Sequence, residues 1–201
     1  MGITSLDIEL LDEILIRYKH KNVIELGAQQ LYNQPNLPAP YANEYFEPKG
    51  VKYDCIDLSK ENNCIEIDLS KPINEDMNYL KNSFDLVTNF GTMEHLSENG
   101  KFSFEAVYNC IKTMHDLTKI GGVIINENPK TGHWQLHGFS YYTKTFYECL
   151  VEKCGYKILK LDEWAAMGNY ETGMNVLCVL EKVSNDFITF EDFCKLDLRS
   201  S

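Results

Sequence analysis

Four short apolar segments carry an acidic or amide side chain close to the loop that follows: Glu25, Asp57, Asp68 and Asn89. In an open parallel sheet, ligands bind outside the carboxyl ends of the strands, at the point where the strand order reverses. A carboxylate there can accept hydrogen bonds from both hydroxyls of a ribose, and a second carboxylate can accept from an adenine amino group. The pattern therefore predicts a site for a nucleoside-bearing cofactor.

Each of these acids also has a structural interpretation. Asp57 and Asp68 are each followed by a leucine and a serine, and aspartate at a strand exit commonly caps a turn. Alone, either residue fits a turn better than a binding site. Because they occur together with Glu25 and Asn89, we favour cofactor binding for the set. Asp85, at the opposite end of its segment, is expected to serve strand entry.

Histidine and aromatic residues concentrate in two loops that could hold a substrate. His95 follows the fourth apolar segment, and residues 132–142 contain most of the others: His133, Trp134, His137 and Tyr141. Imidazole can remove a proton near neutral pH, and functional residues concentrate on loops beside a rigid scaffold. The alternatives are structural. Glu94 and His95 could begin a helix, and the longer loop could simply pack through its aromatic rings.

The spacing of apolar residues predicts the elements that position these loops. Helices are predicted over residues 5–19, with Ser5 as the cap, and over 102–118 and 143–154. Strands are predicted over residues 22–26, 51–56, 64–67, 84–89, 123–127, 157–161 and 174–181. Gly121 and Gly122 are expected to end the second helix. His20 is expected to be solvated, and His115 to lie on the surface or in the core.

Strands that alternate with helices predict an α/β fold. We expect a Rossmann-like, mostly parallel seven-stranded sheet with helices on both faces, its last two strands forming an antiparallel pair. Residues 1–201 are predicted to form a single domain. Residues 1–20 contain the N-terminal helix. Residues 30–49 contain four prolines and should be irregular, either as a lid or as a surface connection.

The composition limits the class of partner. The 201 residues carry a formal net charge of −11, so phosphate backbones should repel the chain and no nucleic-acid partner is expected. We find no signal pattern and no apolar run of membrane-spanning length, and we expect a cytoplasmic protein without a membrane partner. The seven cysteines include no CxxC pair and are expected to be free thiols. A small-molecule substrate is predicted, and a homodimer is left open.

Five segments, in order, resemble the class I S-adenosylmethionine-dependent methyltransferases, in particular a subgroup with a Glu-His pair after strand four. They are residues 23–27, Asp57, Asp68, residues 84–96 and residues 121–125. The resemblance implies S-adenosyl-L-methionine as cofactor, with the ribose on Asp57 and the adenine amino group near Asp68. The cofactor contacts implied in this way are Glu25, Gly27, Ala28, Gln29, Asp57, Leu58, Asp68, Leu69, Asn89 and Phe90.

The turn after the first strand departs from the family's motif. Gly27 is followed by Ala28 and Gln29 rather than by further glycines, which predicts a wider turn or direct contacts from Gln29 or Gln30. The same departure argues against a nicotinamide dinucleotide, whose pyrophosphate requires a glycine-rich turn. It also motivates an alternative function, a non-catalytic cofactor-binding partner subunit of another methyltransferase.

The resemblance implies methyl transfer, and we favour an oxygen of a small polar metabolite, such as a sugar or surface-glycan precursor, as the acceptor. Methyl transfer is an in-line displacement, and a base assists it when the acceptor is a hydroxyl. We assign the base to His95 and His137. Substrate contacts are assigned to Glu94, His133, Trp134 and Tyr141.

A divalent ion is the alternative for the same residues. Glu94, His95 and one of His133 or His137 would provide three ligands and leave one position open. Gly91, however, stands where the metal-binding relatives carry another acid, so we assign no metal ligands.

Overall fold

A computed structural model of the protein describes residues 2–32, 41–165 and 173–200. The strands are β1 (Asn22–Leu26), β2 (Lys52–Asp57), β3 (Ile65–Glu66), β4 (Phe84–Phe90), β5 (Thr118–Pro129), β6 (Ser140–Tyr141), β7 (Tyr156–Ala165), β8 (Met174–Lys182) and β9 (Arg199–Ser200). Seven of them form one sheet in the order β3-β2-β1-β4-β5-β8-β7, and β6 pairs separately with β9. The predicted bounds of β1 to β4 and β8 are correct to within one residue at each end.

The direction of the strands confirms the predicted fold class. The pairs β1–β2, β2–β3, β1–β4 and β4–β5 are parallel, whereas β8 runs antiparallel to both β5 and β7. The chain leaves β1 for β2 on one side and later returns to β4 on the other side. The strand order therefore reverses between β1 and β4, which makes the carboxyl ends of these strands the expected ligand position.

Helices cover both faces of the sheet, as predicted. They are α1 (Ser5–Tyr18), α2 (Asn43–Phe46), α3 (Phe104–Leu117), α4 (Lys144–Lys153) and α5 (Phe190–Phe193). Short 3-10 segments span Glu47–Lys49, Glu61–Asn63, Glu75–Leu80 and Met93–His95. No helix within the described residues is both long and apolar enough to cross a membrane.

Two apolar cores lie on opposite faces of the sheet because side chains alternate along a strand. On β4, Val87 belongs to the core that includes Val107 of α3 and Phe146 of α4. Its neighbour Leu86 belongs to the core that includes Leu11 of α1. Burial on both faces fixes the register of β4. The register in turn fixes the position of the turn that follows the carboxyl end of β4.

The cap of α1 differs from the prediction. Ser5 is the first helical residue, and the cap is Thr4, whose extended backbone lies outside the helix. The backbone N–H and the hydroxyl of Thr4 both donate to Asp7 Oδ2 at 2.7 Å. The helix ends at Tyr18, because Lys19 adopts the left-handed conformation with φ of 53°.

The glycine pair before the fifth strand does not end the preceding helix. That helix ends at Leu117, and β5 begins at once with Thr118, which pairs with Phe84. The register then shifts, and Gly121 and Gly122 lie in the bulge. Gly121 has a φ of +82°, and a Cβ on Gly122 would lie 2.9 Å from a backbone oxygen of the same strand. The glycines are therefore needed for an irregular strand entry.

The prediction that all cysteines are free is wrong for one pair. Cys55 of β2 forms a disulfide with Cys64, which precedes β3, and their Cα atoms are 4.7 Å apart. The turn at Glu61–Asn63 brings the two residues together, and sequence spacing alone gave no indication of it. Five cysteines remain free: Cys110, Cys149, Cys154, Cys178 and Cys194.

His20 is buried rather than solvated. Its side chain is 6% exposed and stacks against Tyr18 with ring centroids 5.3 Å apart, because the turn at Lys19 folds the chain back on the helix end. This burial lowers the pKa of His20. His115 lies in the core, one of the two expected positions, where its Nδ1 is 2.8 Å from the hydroxyl of Tyr156.

The predicted lid falls partly outside the described residues, which resume at residue 41. The described part contains α2, the turn Glu47–Lys49 and isolated bridges of Leu31 with Ile3 and of Gln30 with Tyr41, in agreement with the expected lack of a long helix. Tyr45 and Phe46 are buried there, in the same core as α1. The lid therefore stays a prediction.

Candidate active site

An open cavity of about 130 Å³ lies at the carboxyl ends of β1, β2 and β4, at the point where the strand order reverses. Its lining is mainly aliphatic, with one carboxylate at its edge and one imidazole. The lining residues are Gly27, Ile56, Asp57, Leu58, Ile67, Leu69, Thr92, His95 and Leu96. Such a cavity can hold a flat apolar group while presenting a single acceptor to a polar edge.

Asp57 and Asp68 occupy different environments. Asp57 lines the cavity, and its two carboxylate oxygens accept from the backbone N–H of Ala28 and of Ser59, each at 3.3 Å. Asp68 is exposed and does not line the cavity, although its neighbour Leu69 does. Asp68 Oδ1 accepts from the N–H of Ser70 at 2.9 Å and from its hydroxyl at 2.6 Å. Asp68 therefore also caps a turn.

Glu25 lies beneath the cavity rather than in its wall. It is fully buried, and its Oε2 accepts from the hydroxyl of Tyr53 at 2.6 Å and from the N–H of Gln29 at 3.2 Å. Burial raises the pKa of Glu25 to about 8, against the opposing effect of these hydrogen bonds. The carboxyl group thus ties the turn after β1 to β2.

The turn after β1 is held by a glutamine, in agreement with the direct contacts expected from Gln29 or Gln30. Gln29 is buried, and its Nε2 donates to Thr92 Oγ1 at 2.8 Å and to the carbonyl of Leu26 at 3.3 Å. Gly27 has a φ of +77°, and a Cβ there would lie 2.5 Å from Thr92 Oγ1. Gln30 is exposed. The turn is therefore held by an amide that points inward, and Ala28 at its tip donates to the cavity's carboxylate.

Asn89 and Phe90 do not line the cavity but lie at the end of β4, directly before the turn that does. The Asn89 amide nitrogen donates to Oδ1 of Asn126 at 2.8 Å and of Asn128 at 3.0 Å. Its oxygen accepts from the N–H of Thr92 at 3.1 Å and of Met93 at 3.0 Å. Phe90 is buried in the core on the α1 face. Asn89 therefore fixes the turn that carries the next two residues, Glu94 and His95.

Glu94, His95 and His137 form a compact cluster at this turn. Glu94 Oε1 lies 3.7 Å from Nε2 of His95 and 3.7 Å from Nε2 of His137. The two imidazole rings have centroids 4.9 Å apart. One ligand atom from each residue lies within 4.8 Å of the other two. His95 also lines the cavity, so the cluster and the cavity adjoin.

Burial sets the protonation of this cluster. It raises the pKa of the Glu94 carboxyl to about 7 and lowers the pKa of His95 to about 4, with a further lowering by His137. The pKa of His137 is also lowered by burial. Both imidazoles are therefore neutral at pH 7, with lone pairs that can accept a proton or bind a cation.

The loop 132–142 is held in place by the residues that sequence analysis assigned to substrate. The Tyr141 hydroxyl accepts from the N–H of His137 at 3.1 Å and donates to the carbonyl of Trp134 at 2.8 Å. The Trp134 indole N–H donates to Asn175 Oδ1 at 2.8 Å. His133 lies in the same loop but outside the cluster. The polar groups of Trp134 and Tyr141 thus position His137.

Several contributors were not identified from the sequence. Thr92 links the turns after β1 and β4, and Ile56, Ile67 and Leu96 line the cavity. Thr92 could have been found, since it directly follows the glycine that ends β4. The aliphatic residues carry no chemical signal that distinguishes them from core residues, so only their position near the carboxyl ends of the strands, or in the turn after β4, identifies them.

A third buried carboxyl group, beside those of Glu25 and Glu94, was missed in the sequence. Glu127, at the carboxyl end of β5, accepts from the indole N–H of Trp164 at 2.9 Å and from the amide of Asn175. Burial, together with the nearby Asp7 of α1, raises the pKa of Glu127 well above its usual range. The resulting carboxyl pair joins α1 to the sheet and lies outside the cavity lining.

Comparison with known proteins gives matches among solved structures. No protein-family model and no curated protein matches the sequence. A 1,6-didemethyltoxoflavin-N1-methyltransferase from Burkholderia thailandensis, solved with S-adenosylhomocysteine, is 11% identical with a TM-score of 0.58 over 86% of this chain and 76% of that chain. The N-methyltransferase NodS from Bradyrhizobium japonicum was also solved with S-adenosylhomocysteine. It is 11% identical with a TM-score of 0.56, over 90% of this chain and 89% of that chain.

A third solved structure gives the same result. An S-adenosylmethionine-dependent methyltransferase from Clostridium acetobutylicum is 12% identical with a TM-score of 0.58, over 88% of this chain and 90% of that chain. Identities this low establish the fold and leave the reaction open, because one fold hosts many activities. The chain has the fold of the class I S-adenosylmethionine-dependent methyltransferases.

Proposed function

We propose that the chain binds S-adenosyl-L-methionine and transfers its methyl group to an oxygen of a small polar metabolite. The observation that carries the proposal is the position of the cavity. It lies at the reversal of the strand order, with Asp57 at its edge and the imidazole of His95 in its wall. Cofactor and acceptor could thus meet beside a neutral base.

The residues of the cavity fit the adenosyl part of this cofactor. The carboxylate of Asp57 already accepts two backbone N–H groups at 3.3 Å, but a carboxylate offers about four acceptor positions and has capacity left for ribose hydroxyls. Leu58 and Leu69 line the cavity and could contact the adenine faces. Asp68 is exposed beside Leu69 and is the nearest candidate for the adenine amino group.

The protein's task in the reaction is to orient the acceptor and to take its proton. When bound, the cofactor supplies an electrophilic methyl group on a sulfonium. Burial lowers the pKa of both His95 and His137, so each imidazole is unprotonated at neutral pH and has a lone pair for a hydroxyl proton, although the lowered pKa also makes each a weaker base. The loop 132–142 fixes the position of His137 through Tyr141.

A small polar acceptor is favoured by charge and by the residues near the cluster. The formal net charge of −11 opposes the binding of nucleic acids. The loop that holds His137 is rich in hydrogen-bonding and aromatic side chains, which suits sugars and glycan precursors. Two of the similar solved structures are N-methyltransferases. We choose oxygen because the neutral imidazoles can take the proton that a hydroxyl acceptor must lose.

The deciding experiment combines binding and transfer. The purified chain is titrated calorimetrically with S-adenosylmethionine and S-adenosylhomocysteine, then incubated with methyl-labelled cofactor and fractionated small metabolites. We expect one binding site and label in a polar, non-nucleic-acid fraction. Binding without transfer by any fraction would favour the non-catalytic partner subunit. Absence of binding by well-folded protein would refute the proposal.

A further inference from the structure

The Glu94 carboxylate is buried without a hydrogen-bond donor among the described residues. Its side chain is 0% exposed, and neither Oε1 nor Oε2 has a hydrogen-bond partner there. The Nε2 atom of His137, which faces it, also lacks one. A buried ionised carboxylate without a partner costs several kcal/mol, so such groups are normally paired or bound to a metal.

The distances within the cluster are those of shared ligands rather than of hydrogen bonds. Glu94 Oε1 lies 3.7 Å from each histidine Nε2, beyond the range of a hydrogen bond. Ligand atoms about 2.1 Å from a tetrahedral Zn²⁺ lie about 3.4 Å from one another. The three ligand atoms lie within 4.8 Å of one another, so a contraction around an ion would bring the carboxylate oxygen and both imidazole nitrogens to ligand distance.

The protein holds each member of the cluster from outside. Asn89 accepts from the first two N–H groups of the turn that carries Glu94 and His95. The N–H of Phe139 donates to the Glu94 carbonyl at 2.7 Å. A Cβ on Gly138 would lie 2.9 Å from the Glu94 side chain, so only glycine allows the loop to approach this closely. Prior positioning of this kind is what a metal site requires.

We propose that Glu94, His95 and His137 bind one divalent transition-metal ion of the Zn²⁺ type. Two imidazoles and one carboxylate suit Zn²⁺, Co²⁺ or Fe²⁺ better than Mg²⁺, which prefers oxygen ligands. The side chains of His95 and His137 are 44% and 30% exposed, which leaves an entry path from solvent. Three protein ligands leave a coordination position open, as in catalytic zinc sites.

An ion at this cluster deepens the proposed function, although its binding does not depend on methyl transfer. Because His95 lines the cavity, the open position would be next to the bound cofactor, where an oxygen of the acceptor could occupy it. The two histidines would then act as ligands. The ion would replace them as the group that lowers the proton affinity of the acceptor hydroxyl.

The test is direct metal binding to the full chain without cofactor. The protein is stripped with a chelator and titrated with Zn²⁺ by calorimetry and with Co²⁺ by visible absorption. We expect one equivalent of each, with the d–d bands of a four- or five-coordinate Co²⁺ site. Glu94→Gln, His95→Ala and His137→Ala should each weaken binding at least tenfold. His133→Ala, in the same loop, should bind as the wild type does.

The outcomes separate the metal proposal from the proposed function. If the wild-type chain binds no metal, the metal site is overturned. It is also overturned if the His95→Ala/His137→Ala double variant still binds the metal, because such binding would be an adventitious ion on the surface only. Thermal melts identify any variant that fails to fold. If Glu94→Gln fails to fold, His95→Ala tests the site instead, because His95 is partly exposed. Zn²⁺ binding by a chain that does not bind S-adenosylmethionine would instead refute the proposed function and leave the metal site intact.

Discussion

Three buried acids near the carboxyl ends of strands differ in what they accept. Glu25 receives hydrogen bonds from Tyr53 and from the turn after β1. Glu127 receives them from Trp164 and an amide. Glu94 receives none from the described residues. Burial of the first two is accompanied by structural hydrogen bonds, whereas for Glu94 the proposed metal ion would provide the missing partner.

Asp57 provides the sharpest test of the cofactor site. Asp57→Ala should weaken binding of S-adenosylhomocysteine about 10- to 100-fold, because hydrogen bonds to a charged group contribute about 1.5–3 kcal/mol. Calorimetry measures the change. Asp54→Ala is the matched control on the same strand, since Asp54 pairs with Lys52 and is not part of the cavity. Equal affinities for the two variants would remove Asp57 from the site.

His137 and His95 are expected to affect turnover more than cofactor affinity. Replacing either with alanine should lower kcat about 10²–10⁴-fold, the usual contribution of a positioned acid or base, with little change in cofactor Kd. Steady-state rates and calorimetry give the two quantities separately. If both variants keep full activity, the assignment is wrong. A loss of wild-type activity on chelation would indicate that they act as ligands instead.

Glu25 should make stability fall as pH rises. Its pKa is about 8 in the folded chain against an ordinary value of 4.5. Folding therefore favours the protonated form, and this contribution is lost as pH rises from 4.5 through 8. Urea denaturation between pH 5 and 8 should show a smaller fall for Glu25→Gln, by ~1.4 kcal/mol per unit of raised pKa. Glu75→Gln, at an exposed position, should follow the wild type.

At the scale of elements, the site depends on two turns that are attached to each other. The turn after β1 and the turn after β4 are joined by the hydrogen bond from Gln29 to Thr92, and Thr92 also donates to the carbonyl of Leu26 at 2.7 Å. The parallel register of β1 and β4 brings them side by side. A change in either turn should therefore be transmitted to the cavity.

Gly27 and Gly50 allow this attachment to be tested. Both have left-handed backbones, with φ of +77° and +71°, but a Cβ on Gly27 would lie 2.5 Å from Thr92 Oγ1 while one on Gly50 has nothing within 4 Å. Gly50→Ala should cost about 1–2 kcal/mol from backbone strain alone. Gly27→Ala should cost more and also weaken cofactor binding. Equal losses of stability, with unchanged affinity, would contradict the coupling.

At the scale of the whole molecule, the order of strands and helices was predictable because apolar periodicity is local. The acids at strand ends were found for the same reason. The bulge at Gly121 depends on pairing with β4, which is distant in sequence, so a local pattern missed it. The disulfide joins Cys55 to Cys64, only nine residues on, but it depends on the geometry of the turn between them, which apolar periodicity does not encode. Local sequence also did not show whether a side chain at a strand end faces the cavity. Asp57 and Asp68 have the same sequence context, yet only Asp57 lines the cavity.

The cluster of Glu94, His95 and His137 contains residues that the sequence identified and one that required the structure. Glu94 and His95 were recognisable as neighbours after β4, but the sequence left the third ligand open between His133 and His137. The structure brings His137 to the carboxylate, because the Tyr141 hydroxyl holds its backbone and Gly138 permits close contact. Selection between two histidines four residues apart therefore required tertiary contacts.

The pairing of β6 with β9 means that residues 199 and 200 help to hold the loop 132–142 in place. Tyr141 of β6 is paired with Arg199 of β9, while its hydroxyl anchors His137. Deletion of residues 199–201 should therefore loosen a loop more than fifty positions away, visible as faster hydrogen exchange at that loop's amides. Fusions and affinity tags placed there would disturb reactivity, whereas the same additions elsewhere on the surface should be tolerated.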